Sequence, residues 1–146
     1  GAPRPRPDDA IWAVLSLLGL AQLVGDRGGL DMKVEPGGTN LSVGERQLLV
    51  TARALLRSPV FLILDEATAN IDEETEQQLM AAVQKQTKGG VTTVTIAHRV
   101  RTLLPLDQVL VLADGQVQEF GPPSRLMEES GSTFRTLVEA ASSNSH

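Results

Sequence analysis

Two adjacent carboxylates, Asp65 and Glu66, directly follow an apolar run, Val60-Phe61-Leu62-Ile63-Leu64. An acid at the carboxyl end of a buried parallel strand sits at the crevice where α/β sheets bind ligands. In phosphate-transfer chemistry the first acid can hold Mg²⁺, largely through water, and the second can orient or deprotonate an attacking water. The plainer reading is that the two acids cap the loop that follows. A second segment, Leu41-Ser42-Val43-Gly44-Glu45, opens an apolar-periodic stretch. The first amides of a helix point at whatever lies off its end, and a glycine there lets a phosphate approach closely. Serine followed three residues on by glutamate is equally a capping box, and a cap that ends the helix well can still present its hydroxyl. The third candidate is His98, the one histidine besides His146; it follows the β-branched run Val91-Thr92-Thr93-Val94-Thr95-Ile96. A single histidine at a strand end is commonly structural. Beside two carboxylates and a phosphate-ready helix end, a catalytic role becomes the better reading.

Elements must hold these residues in place, and the sequence predicts them in alternation. Asp8 or Asp9 caps a helix running to about Ala21, with Ile11, Val14, Leu15 and Leu18 as its apolar stripe. Residues 25–39 read as a glycine-rich loop, broken at Pro36-Gly37-Gly38. A helix follows from Val43 to about Arg57, burying Leu48, Leu49, Ala52, Leu55 and Leu56 and stopped by Ser58-Pro59. The run from Val60 to Leu64 reads as a strand buried on both faces. Asp72 caps a helix from Glu73 to Gln86, with Glu73, Glu74 and Glu76 near the positive end of its dipole. Strands are predicted at 91–96 and 109–112. Asp114-Gly115 makes a two-residue hairpin turn into a return strand, 116–120. Two short helices, 124–129 and 133–141, come last. Strands alternating with helices define an α/β chain with a parallel sheet, flanking helices and a C-terminal β-hairpin at the sheet's far edge.

Composition narrows the function. The chain has 146 residues, enough for one domain at most, and a 41% hydrophobic content that allows a packed core. A net charge of -5 without a basic cluster argues against nucleic acid as a partner. The absence of cysteine removes disulfides and thiolate metal sites and favours a cytosolic face. No apolar run approaches the roughly 20 residues that cross a bilayer. Residues 1–7, alternating proline with arginine, are expected to be flexible; 142–146 form a polar tail.

Taken in order, the motifs resemble the ATP-binding cassette family across nearly the whole of residues 8–141. Leu41-Ser42-Val43-Gly44-Glu45-Arg46-Gln47 resembles its signature motif, and Phe61 to Glu66 its Walker B strand with catalytic glutamate. Ala69-Asn70-Ile71-Asp72 resembles the D-loop, and His98 the switch histidine. Val43, Ala67-Thr68-Ala69 and the C-terminal hairpin look most like the second cassette of the multidrug-resistance-associated (C) subfamily. The resemblance implies the C-terminal portion of a P-loop NTPase domain that binds ATP with Mg²⁺. It also implies work at the cytosolic side of a membrane, with a second cassette packed head to tail and transmembrane domains as partners. On that pattern Asp65 supports Mg²⁺, Glu66 is general base or water orienter, and His98 holds the γ-phosphate and water in line. Ser42, Val43, Gly44 and Glu45 meet the partner cassette's ATP, and Asp72 couples the two sites.

Two departures bear on that picture. A phosphate-binding loop needs G-x-x-x-x-G-K-[ST], and here no lysine follows a glycine. The chain is therefore expected to be a fragment or truncated product that does not hydrolyse ATP unaided. Glu45 stands where the family usually has glutamine, and a carboxylate facing a triphosphate would cost affinity unless it folds back into the capping box. The leading expectation is an ATP-hydrolysing module of a transmembrane exporter. The alternatives are a non-catalytic remnant that binds or regulates a partner cassette, or a soluble ATPase of DNA repair or translation.

Overall fold

The computed structural model describes residues 7–65, 71–87, 90–97 and 99–143. They divide after Ile96 into two compact units.

In the first unit, helix α1 (Asp8–Leu17) leads into α2 (Ala21–Asp26). The apolar stripe by itself predicts one continuous helix to about Ala21. The chain instead turns at Gly19, whose φ of +72° breaks the helical path as only glycine does without strain. The cap also differs. Pro7 occupies the N-cap position, with no side-chain cap bond, and Asp8 and Asp9 fall in the first turn, where their charge favours the dipole. Val14, Leu15 and Leu18 are buried as the apolar stripe required. The stretch from 25 to 39 is less loop-like than expected. Gly25 and Asp26 belong to the end of α2, and two 3-10 turns, Gly29–Asp31 and Pro36–Gly38, follow.

Helix α3 (Val43–Leu56) buries Leu48, Thr51, Ala52 and Leu55. Thr51 tolerates burial because its Oγ1 donates to the Gln47 carbonyl at 3.0 Å. Strand β1 (Phe61–Asp65) pairs in parallel with β2 (Thr92–Ile96), with α4 (Glu73–Thr87) between them in the chain. Leu79, Met80, Ala82 and Val83 on α4 are buried, and so is Glu76, which was expected only to serve the dipole.

Neither strand is covered on both faces. β1 buries Leu62 and Leu64 but exposes Phe61 and Ile63, and its in-register partner β2 exposes Val94 and Ile96 on the same face. Covered on one face only among the described residues, this two-stranded sheet shows the alternation of a half-covered sheet rather than the continuous burial its composition suggested.

The second unit holds a 3-10 turn (Val100–Leu103), β3 (Val109–Ala113), β4 (Gln116–Gly121), α5 (Pro123–Glu128) and α6 (Thr133–Ser143). β3 and β4 form the predicted hairpin, and among the described residues they pair only with each other. Asp114 and Gly115 turn with φ of +51° and +72°, the two positive values a tight hairpin of matching twist demands. Val109, Leu126, Phe134 and Val138 form the core, flanked by Val100, Leu103, Val111 and Met127.

Candidate functional site

Ser42 is the N-cap of α3. Its backbone is extended, its hydroxyl accepts from the Glu45 amide at 3.1 Å, and its own amide donates to Glu45 Oε2 at 2.7 Å. The capping box is complete, so the Glu45 carboxylate is folded back onto the turn. The box occupies two donors. The amides of Val43 and Gly44, in the first turn, have no acceptor within the helix and sit at its positive end. Val43 is exposed and Gly44 half-buried.

Two arginines that the sequence reading did not single out fasten the approach to this turn. Arg46 Nη1 donates to the carbonyls of Gly38 (3.1 Å) and Leu41 (2.9 Å). Gly38 is obligatory there: its φ is +66°, and a Cβ would lie 2.7 Å from Arg46 Cδ. Arg27, just past α2, donates from Nη1 to the Asn40 carbonyl at 2.8 Å, while Nη2 lies 3.7 Å from Glu45 Oε1. Asn40 in turn bridges the loop, accepting from the Glu35 amide and donating to the Lys33 carbonyl. The residues between 33 and 42 are thus pinned at several backbone points. No sequence signal marks this tie, since Arg27 and Glu45 are eighteen positions apart and on no common periodicity.

Asp65 ends β1 with its side chain exposed, and the parallel register sets it level with Ile96. Glu66 and His98 come one and two positions after that level pair in sequence; both lie outside the described residues. Asp72 caps α4 as expected, Oδ1 accepting from the Thr75 amide (2.9 Å) and Oδ2 from the Thr75 hydroxyl (2.6 Å). Among the described residues no group of three or more His, Cys, Asp or Glu could hold a metal ion. One exposed carboxylate suits Mg²⁺, which keeps several waters and draws other ligands from phosphates, rather than an ion that needs an all-protein cage.

The ABC transporter family model matches residues 7–69. The chain is 44% identical over 134 residues to ABC transporter C family member 13 of Arabidopsis thaliana, covering 92% of this chain and 9% of that protein. To ATP-binding cassette sub-family C member 10 of Mus musculus it is 41% identical over 139 residues, 95% of this chain and 9% of that one. The fold agrees. A bacterial Atm1-family ABC exporter, solved with ATP bound, superposes with a TM-score of 0.83 at 30% identity, over 100% of this chain and 25% of that one.

The chain belongs to the ABC transporter family. Within the family it is most like the C, or multidrug-resistance-associated, subfamily, and its fold is that of an ABC ATPase domain segment: a parallel sheet with helices and a C-terminal hairpin. It spans about a tenth of the length of the curated ABC relatives it matches. Among the described residues no helix of this ABC segment is long and apolar enough to cross a membrane.

Proposed function

We propose that this chain supplies the signature, strand-end and switch segments of an ATP-hydrolysing nucleotide-binding domain in an ABC-type exporter. The domain works at the cytosolic face and couples hydrolysis to transport through transmembrane domains elsewhere in the protein. The observation that carries the reading is the turn opening α3: its acid is folded back, and the Val43 and Gly44 amides stand at an accessible positive helix end. Preorganised amides of this kind stabilise phosphate charge at no reorganisation cost.

In that role a second nucleotide-binding domain, packed head to tail, presents its ATP to the turn. The Ser42 hydroxyl and the Val43 and Gly44 amides meet the phosphate, while Glu45 shapes the turn. Asp65 would hold Mg²⁺, which would supply charge neutralisation at the phosphates. Glu66 takes a proton from, or orients, the attacking water, and His98 keeps that water in line. Asp72, at the start of α4, links the two sites.

Gly44→Asp in the full-length protein tests the turn. Aspartate in a first helical turn favours the helix, so folding is not the casualty. A second negative charge against the phosphate should lower ATPase turnover at least about tenfold, since like charges brought together cost several kcal/mol and ~1.4 kcal/mol is tenfold. Wild-type turnover in Gly44→Asp would remove the turn from the nucleotide site.

A further inference from the structure

An acid in a turn that receives phosphate needs an explanation, and the fold contains one. Glu45 does not stand alone. Oε2 accepts from the Ser42 amide at 2.7 Å, and Oε1 faces Arg27 Nη2 at 3.7 Å. The same guanidinium donates from Nη1 to the Asn40 carbonyl at 2.8 Å, two residues before the cap. Arg27 therefore touches both the segment entering the turn and the acid within it. Its side chain is only partly exposed, at 39%, and that of Glu45 is 25% exposed, so the pair is incompletely screened by water. The route of the chain explains why Arg27 is available. α2 ends at Asp26 and the chain turns at once, Arg27 donating its own amide to the Val24 carbonyl, while Gly28 adopts φ of +105°.

We infer that Arg27 is a positioning residue for the nucleotide-facing turn: it neutralises the Glu45 carboxylate and holds Asn40, so that the turn accepts a phosphate despite carrying an acid. The inference rests on the reading of the turn as a nucleotide site. Arg27 acts through Glu45 and need not touch the phosphate. Its charge and its hydrogen bond make separable contributions, and the charge is the part that matters for an anion.

The experiment is a double-mutant cycle in the full-length protein, reading KM for Mg-ATP and kcat at low and high salt, with melting temperature alongside. Arg27→Gln removes the charge and keeps an amide donor; Arg27→Lys keeps the charge. Arg27→Gln should raise KM about two- to five-fold, the range a partly exposed ion pair supports, with kcat within about twofold. The rise should shrink as salt is added, and Arg27→Lys should restore most of the affinity. In the Glu45→Gln background, the same Arg27→Gln substitution should change KM by less than about 1.5-fold, because no acid remains to neutralise. An unchanged KM in Arg27→Gln overturns the inference. So does an equal, salt-independent rise in both backgrounds, which would make Arg27 merely structural. Gly44→Asp separates the two layers. If it abolishes turnover while Arg27→Gln is silent, the nucleotide reading stands and the role of Arg27 falls; if it is active, both fall.

Discussion

On the proposed reading, Glu45 meets two demands with one side chain, closing a helix end and leaving it fit for an anion. Its box with Ser42 uses the carboxylate inward, and the outward-facing amides belong to Val43 and Gly44. The chemistry assigned to the strand ends is separate and tested separately. Glu66 follows the exposed Asp65 at the end of β1, and in the full-length protein Glu66→Gln should retain ATP binding while turnover falls by roughly 10²–10⁴, the usual worth of a general base. Near-normal turnover would take Glu66 out of that role. His98→Ala offers the matching contrast, since the residue follows a strand whose last member, Ile96, pairs level with Asp65. It should slow hydrolysis far more than it lowers the melting temperature; a large thermal loss with normal activity per folded molecule would mark it as structural.

At the scale of elements, what the sequence announces is local. The Ser42–Glu45 box, the Asp72 cap and the Asp114-Gly115 turn each depend on residues within three or four positions, and each forms as expected. Long-range ties are silent in sequence. Nothing in spacing marks Arg27 for Glu45, or Glu119 for the start of α6. Glu119, on β4, accepts from the Phe134 and Thr133 amides and from the Ser132 hydroxyl, so a strand carboxylate caps a helix fourteen residues on. The Phe134 amide foremost, with the Thr133 amide and the Ser132 hydroxyl, holds this carboxyl below its ordinary value, against the opposing effect of partial burial. The folded form thus prefers the ionised acid: the stabilisation is complete above the unfolded-state value and fades as pH falls through the lower folded one. Amide exchange at Thr133 and Phe134 should therefore be slower in wild type than in Glu119→Ala near neutral pH, and the gap, corrected for intrinsic rates, should close under acid. A gap that persists once the carboxyl is protonated would count against the cap. Strand burial departs from the sequence expectation for a related reason. The composition of β1 and β2 speaks to how apolar they are, whereas the number of covered faces depends on what packs against them.

The whole molecule carries the consequence of those open faces. In the first unit Phe61 (52%), Ile63 (60%), Val94 (43%) and Ile96 (53%) share one exposed sheet face, and in the second unit Leu110, Leu112, Val117 and Phe120 share one face of the hairpin. Monomeric proteins rarely expose a contiguous apolar patch larger than a few hundred Å², and patches that approach this size often serve a contact. At ~25 cal/mol per Å², covering one such patch is worth on the order of 5–10 kcal/mol, comparable with a typical net stability of about 5–15 kcal/mol. The 146-residue chain expressed by itself should therefore self-associate or fold only partly, and bind Mg-ATP negligibly. The paired substitution Ile63→Lys and Val94→Thr, on directly opposed positions of β1 and β2, should reduce that self-association without lowering the melting temperature, because neither side chain is buried in the described structure. Sedimentation velocity across a concentration series reads the first effect and thermal unfolding the second. A wild-type chain that stays monomeric at high concentration, unfolds sharply in one step and binds Mg-ATP at micromolar levels would show that these faces need no cover, and that the self-sufficiency of this segment lies in contacts other than the sheet.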